Sequence, residues 1–271
     1  MRSRLGLFAE RFKTTIAMVT TAEIEDFLRS LELSGRSRNN YRRAIATLFY
    51  FAETRGYVAK GAAQVESVAL AKEHEVGIEI FTPEEMTRIL NHSEPKLVPF
   101  LAIGGFVGLR HAEISRLDWS QVRLDDGFVE VTASNARTAS RCLVPILPNL
   151  KAWLGPHQRV HGKVCPYASM SKQLLWLAEA VHAQWQQETP PGSFVWKHNA
   201  LRRSFISYRV AQTQNVAQVA LEAGNSPRMV FSNYRELVRP ADAVKWFAIA
   251  PAPGASVLSS SHEAAAFGTT V

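Results

Sequence analysis

Along the first fifty or so positions, apolar residues recur at intervals of three and four, the spacing of a single helix face. Ile24, Phe27, Leu28 and Leu31 form one such stripe. Thr20 and Thr21 stand ahead of it, and Glu23 and Glu25 lie in its first turn, where the helix dipole favours acids. Ser34-Gly35-Arg36-Ser37 interrupts the pattern. Ser37 is the expected N-cap of a second helix with apolar positions Tyr41, Ile45, Leu48, Phe49 and Ala52 and a stop at Gly56. Residues 59–80 lose periodicity and read as a linker. Thr82-Pro83-Glu84-Glu85 then opens a new helix, with a cap, proline at the first position and acids in the first turn. A further helix is expected from Lys96 to Val107, ended by Gly108. Residues 122–131 alternate about Asp126-Gly127, a hairpin signal, and 142–146 supply a third short strand. From Ser169 the chain reads as helical again, broken at Pro190-Pro191-Gly192. Residues 238–249, with Trp246 and Phe247, read as a helix that packs either on a partner or on its own domain. Small and polar residues after Pro251 predict a disordered tail.

The chain has 271 residues, enough for two modest domains, and no apolar run approaches the length of a membrane span. Its basic start is interrupted by Glu10, Arg11 and Lys13 before it reaches signal-peptide length, so a cytoplasmic protein is expected. Cys142 and Cys165 are too few for a disulfide scaffold and lack metal-ligand spacing. Charge changes the picture more. Lys and Arg total 31 against 24 acids, a formal charge of +7 and a pI near 9.6. That balance favours a polyanionic partner, because each phosphate contact releases condensed counterions. Arg36, Arg38, Arg42 and Arg43 cluster at the start of the second helix, where cations oppose the macrodipole. They form either a solvated face or a DNA contact that a phosphate would relieve.

Three segments carry candidate chemistry. Gly108-Leu109-Arg110-His111-Ala112-Glu113 is the first and His198-Asn199-Ala200-Leu201-Arg202-Arg203 the second. The third is Ala223-Gly224-Asn225-Ser226-Pro227 followed by Asn233-Tyr234. Arg202 follows Arg110 by 92 residues, and Tyr234 follows Arg202 by 32. In order and spacing, with a hairpin between the first two, these segments resemble the tyrosine recombinase (phage integrase) family over residues 20 to 250. The resemblance implies a mainly α protein. A helical, SAM-like core-binding domain at 15–75 would precede a mixed α/β integrase catalytic domain with a small antiparallel sheet at 78–250, with the tail at 251–271 and DNA in the gap between the domains. It implies that Arg110 and Arg202 clamp a phosphate and that Tyr234 is the nucleophile of a 3′-phosphotyrosyl intermediate. Planar guanidinium groups suit the first task because they bind phosphate oxygens bidentately and keep their proton. A phenol suits the second because it can be held covalently. Taken alone, Arg110 could equally form an ion pair with Glu113. No cofactor or metal is expected. The expected partner is double-stranded DNA, bound by a homo-oligomer assembling on it.

The sequence departs from the family where protons move. The hairpin lysine expected as general acid is replaced by Arg137, in an Arg137-Thr138 pair. The second motif has Asn199 at its first position and Arg203 at its last, with His198 one residue early. The third has Asn225 where histidine is usual. Asparagine can hydrogen-bond a phosphate oxygen but cannot shuttle a proton near neutrality, and arginine is a poor proton donor. The catalytic set carried over is therefore Arg110, Arg137, Asn199, Arg202, Asn225 and Tyr234, with Arg36, Arg38, Arg42, Arg43, His198 and Arg203 assigned to DNA. Site-specific strand cleavage and rejoining is the expected activity. The alternatives are a catalytically weakened relative that only binds and bridges DNA, a type IB topoisomerase, and a basic helical RNA-binding protein.

Overall fold

Two threonine capping boxes set where the chain turns helical. Thr20 accepts the Glu23 N–H, and the Glu23 carboxylate accepts the Thr20 N–H, while Thr82 and Glu85 repeat the exchange. The computed structural model describes residues 2–73, 78–132, 142–234 and 238–252, divided into two units, Met1–Gly77 and Ile78–Val271.

The first unit holds α1 (Arg2–Arg11), α2 (Thr21–Ser30) and α3 (Gly35–Thr54). Its core joins Phe8 of α1, Ile24, Phe27 and Leu28 of α2 and Ile45 and Phe49 of α3. The unit thus takes in α1, ahead of the expected start at residue 15. α3 begins at Gly35 rather than at Ser37, because the Ser34 hydroxyl accepts the Ser37 N–H and so caps the helix earlier. Gly56 ends it as expected, in the left-handed region at φ 72°. The expected linker at 59–80 is corrected over its first half. Val58, Ala63, Val65 and Val68 are buried, and the segment is a strap tied down by side chains of α3. Asn39 pairs with both the N–H and the carbonyl of Ala71, at 2.9 Å each. Arg42 donates to the carbonyls of Val68 (2.8 Å) and Glu66 (2.7 Å). Aperiodic small residues are held here by polar contacts that periodicity cannot reveal.

The second unit runs through α4 (Pro83–His92), α5 (Val98–Phe106) and α6 (His111–Ile114), then β1 (Val122–Arg123), β2 (Phe128–Val131) and β3 (Cys142–Pro145). It continues with α7 (Pro148–Leu154), α8 (Met170–Gln186), α9 (Ala200–Thr213), α10 (Val216–Glu222), α11 (Pro227–Tyr234) and α12 (Pro240–Phe247). The strands form an antiparallel sheet in the order β1-β2-β3, with Val122 opposite Val129 and Val131 opposite Cys142. β3 lies against α10. Every residue of α5 is buried, and α4, α7 and α9 pack around it. Phe100, Ile103, Phe106, Leu117 and Trp119 are core, as their pattern predicts. α12 packs on its own unit: Trp246 is fully buried, stacked on Tyr208 at 4.3 Å, and donates to the Gly105 carbonyl.

The chain enters this unit through Phe81, which is itself fully buried. Its N–H donates to the Ser204 hydroxyl at 2.8 Å, and its carbonyl accepts from the Tyr208 hydroxyl at 3.0 Å, both on α9. Burial, then the nearby Asp242 and Glu85 carboxylates, push the Tyr208 phenol well up, so it stays a donor across the ordinary pH range. Lys197 reinforces the join through the Ile80 carbonyl and Glu85. No described helix is long and apolar enough to cross a membrane.

Candidate active site

Two glycine helix stops shape the site. α5 ends at Gly108, in the left-handed region at φ 71°, and a Cβ there would meet the Phe205 ring at 2.2 Å. Only glycine therefore ends α5 this close to α9. α10 ends at Gly224, φ 56°, where the Asn225 N–H returns to the Ala220 carbonyl. Both stops turn carbonyl groups toward the same pair of arginines.

Arg202, in the first turn of α9, donates to the carbonyl of Gly108 at 2.6 Å and to that of Ala223. Arg110, just before α6, donates through Nη2 to the Gly224 carbonyl and to Asn225 Oδ1, each at 3.1 Å. The two guanidinium groups, from residues 92 positions apart, thus hold consecutive carbonyls of one loop. Helix C-termini carry partial negative charge, so both cations sit where the macrodipoles of α5 and α10 favour them. The pairing of Arg110 with Glu113 also forms. Glu113 is buried, accepts from Arg110 Nη1 at 2.8 Å and accepts the Arg110 backbone N–H at 2.7 Å. The ion pair leaves the Nε–H and one Nη1 hydrogen of Arg110 uncommitted among the described residues, and Glu113 orients the guanidinium. The ion pair with Glu113 and the contacts to Gly224 and Asn225 coexist, so forming the pair does not exclude a functional role for Arg110.

Arginine offers only donors, so the oxygen of the Asn225 amide must face Arg110 and its NH2 group must face away. Asn199 lies just before α9, exposed and left-handed at φ 56°; His198 is exposed and Arg203 half-buried. Among the described residues, no hydrogen bond ties these three side chains to residues 223–225. Tyr234 is the last residue of α11, eight residues after the loop ends at Ser226, and its side chain lies outside what is described. Arg137 lies outside the described residues altogether; the strands flanking it, β2 and β3, are in place. In the first unit Arg36 and Arg43 are exposed, and the buried Nε of Arg38 has no hydrogen-bond partner among the described residues. Arg42 spends its Nε–H and one Nη2 hydrogen on the strap, a structural task beside the DNA contact expected of it. The residues missed from the sequence are those acting through backbone or burial, namely the carbonyls of Gly108 and Ala223 and the buried pair Arg209–Glu222. Only the glycine stops hinted at the first of these.

No protein-family profile and no curated protein matches this sequence. Solved structures do match its fold. A lambda integrase dimer bound to a core site superposes with a TM-score of 0.68 at 16% identity, over 88% of each chain. It has the integrase fold. The Tn1549 transposon integrase in complex with transposon right-end DNA gives 0.67 at 14% identity over 90% of each chain. A lambda integrase tetramer on a Holliday junction gives 0.60 at 17%, covering 83% of this chain and 67% of that one. In this integrase fold the small antiparallel sheet, β1 to β3, falls in the chain between the two arginine-bearing helical segments.

Proposed function

We propose that this chain cuts and rejoins strands of double-stranded DNA at a specific site, working in the cytoplasm as a homo-oligomer assembled on the DNA. The observation that carries this reading is the convergence of Arg110 and Arg202 on consecutive carbonyls of residues 223–225 within an integrase fold. The spare N–H groups of Arg110 give a phosphodiester a charged seat. In the proposed step the Tyr234 phenol oxygen attacks phosphorus, the 5′ oxygen leaves, and a 3′-phosphotyrosyl bond forms. The phenol gives up its proton to water as its oxygen attacks, the leaving oxygen takes one up, and attack by a 5′ hydroxyl reverses the step. The nonbridging oxygens, which share one negative charge in the diester, approach two in the transition state, where preorganised guanidinium groups are most effective. Arg137, which falls in the sequence between β2 and β3, is assigned beside the leaving oxygen, stabilising it by charge.

Positioned acid–base help contributes roughly 10² to 10⁴ in rate. With arginine at 137 and asparagine at 199 and 225, cleavage is expected to be slow, and a relative that binds and bridges DNA without cutting is the second reading. That reading draws on Asn225, whose amide faces Arg110 where a proton-transferring histidine would be expected. The test is a nicked suicide duplex made from DNA flanking the gene. The expected outcome is a covalent protein–DNA adduct that disappears in Tyr234→Phe, while duplex affinity is kept. Binding without any adduct would establish the bridging reading instead.

A further inference from the structure

The geometry points to the buried ion pair Arg209–Glu222 as the device that positions the arginine-holding loop. α9 carries Arg202 and, seven residues later, Arg209, two turns along the same face. Arg202 takes the carbonyl of Ala223, and Arg209 takes the carboxylate of Glu222, the residue immediately before it. One face of α9 therefore grips the end of α10 at two adjacent residues.

The grip of Arg209 is a fork: Nε donates to one carboxylate oxygen and Nη2 to the other, at 2.9 Å each. Both residues are buried, Arg209 at 9% exposure and Glu222 at 7%. Gln218 donates to the same carboxylate and Gln212 accepts from Arg209, so further partners satisfy the pair. Beside these grips, α9 meets α10 and α11 through an apolar cluster of Phe205, Ile206, Val219, Ala220 and Val230. An apolar contact tolerates sliding and rotation. A bidentate pair fixes both, although desolvation offsets most of its contribution to stability. The loop 223–225 leaves α10 directly after Glu222, so any rotation of that helix end would swing the carbonyls of Ala223 and Gly224 away from Arg202 and Arg110. Arg209 and Glu222 are thus positioning residues for the two guanidinium groups. Their consequence for catalysis rests on the function proposed above, but their effect on geometry does not.

The test replaces the pair with apolar residues of similar volume, Arg209→Met with Glu222→Leu, in the full-length chain. Three quantities are read: the thermal unfolding midpoint, the Nε–H resonances of Arg110 and Arg202 in arginine-labelled protein, and the single-turnover rate of adduct formation at saturating protein. The midpoint should hold or rise, as apolar replacements of buried pairs often do. The two resonances should move or broaden, and the rate should fall about 100-fold, the scale of a small misplacement at a reacting centre. Arg209→Lys keeps the charge and loses the fork, so it should move the same resonances less, and it carries the test if the swap does not fold. Unmoved resonances in a folded variant would overturn the positioning role. A wild type that forms no adduct while its variant's resonances move would leave that role standing and count against Tyr234 cleavage alone.

Discussion

Asn225 holds its amide oxygen on Arg110 through a side chain that has no titratable group. The single-turnover cleavage rate should therefore be flat across roughly pH 6 to 8, where an imidazole with its ordinary value of about 6.5 would titrate. Asn225→His should introduce an inflection in that window. An inflection already present in the wild type would show that a histidine elsewhere, such as His198, supplies the proton. The arginines of α3 divide in the same residue-by-residue way. Arg42→Ala removes two charge-assisted bonds to the strap and should destabilise the first unit by about 2 kcal/mol, measured by urea unfolding. Arg36→Ala, at an exposed position, should leave stability alone and lower the slope of log affinity against log salt by about 1. If both substitutions acted only on the slope, the strap would not depend on Arg42.

At the scale of elements, what could be read in advance was what local rules decide. Thr20 and Thr82 announce α2 and α4 because a capping box needs only four consecutive residues. Asp126-Gly127 announces the turn between β1 and β2 for the same reason. The strap after α3 was illegible: its anchors, Asn39 and Arg42, lie more than twenty residues from the carbonyls they hold. The candidate site divides likewise. Arg110 and Arg202 could be named from motif spacing, but no local pattern says that a carbonyl of residue 223 or 224 holds each of them. Long-range pairing also decides how α4 meets α8. Arg88 of α4 lies over the Trp185 ring at 4.3 Å and binds Glu188, just beyond α8, at 2.7 Å. Its hydrogen bonds hold the Glu188 carboxyl below its ordinary value of 4.5 in the folded state. The pair therefore adds stability above that value, and the stability is lost as pH falls through the folded value. The melting temperature of the wild type should drop faster than that of Glu188→Gln below about pH 4.5, with the two curves closing together in acid. Parallel curves would mean the contact contributes nothing.

For the molecule as a whole, a +7 charge ties the proposed DNA binding to salt: affinity should fall steeply with salt at any sequence, and recognition of a target must be added on top of that. The mounting of Phe81 on α9 has a mechanical consequence. Tension arriving from the N-terminal side reaches a residue whose N–H and carbonyl are held by Ser204 and Tyr208, so two bonds bear the load together instead of peeling in turn. The helix that takes the strain is the one carrying Arg202. Pulled between residues 78 and 252 in an optical trap, the second unit should yield at a markedly lower force in the Ser204→Ala, Tyr208→Phe double variant than its modest loss of thermal stability would suggest. A drop in rupture force no larger than that loss would mean Phe81 is merely buried, and a tug on the chain there would never reach the arginines.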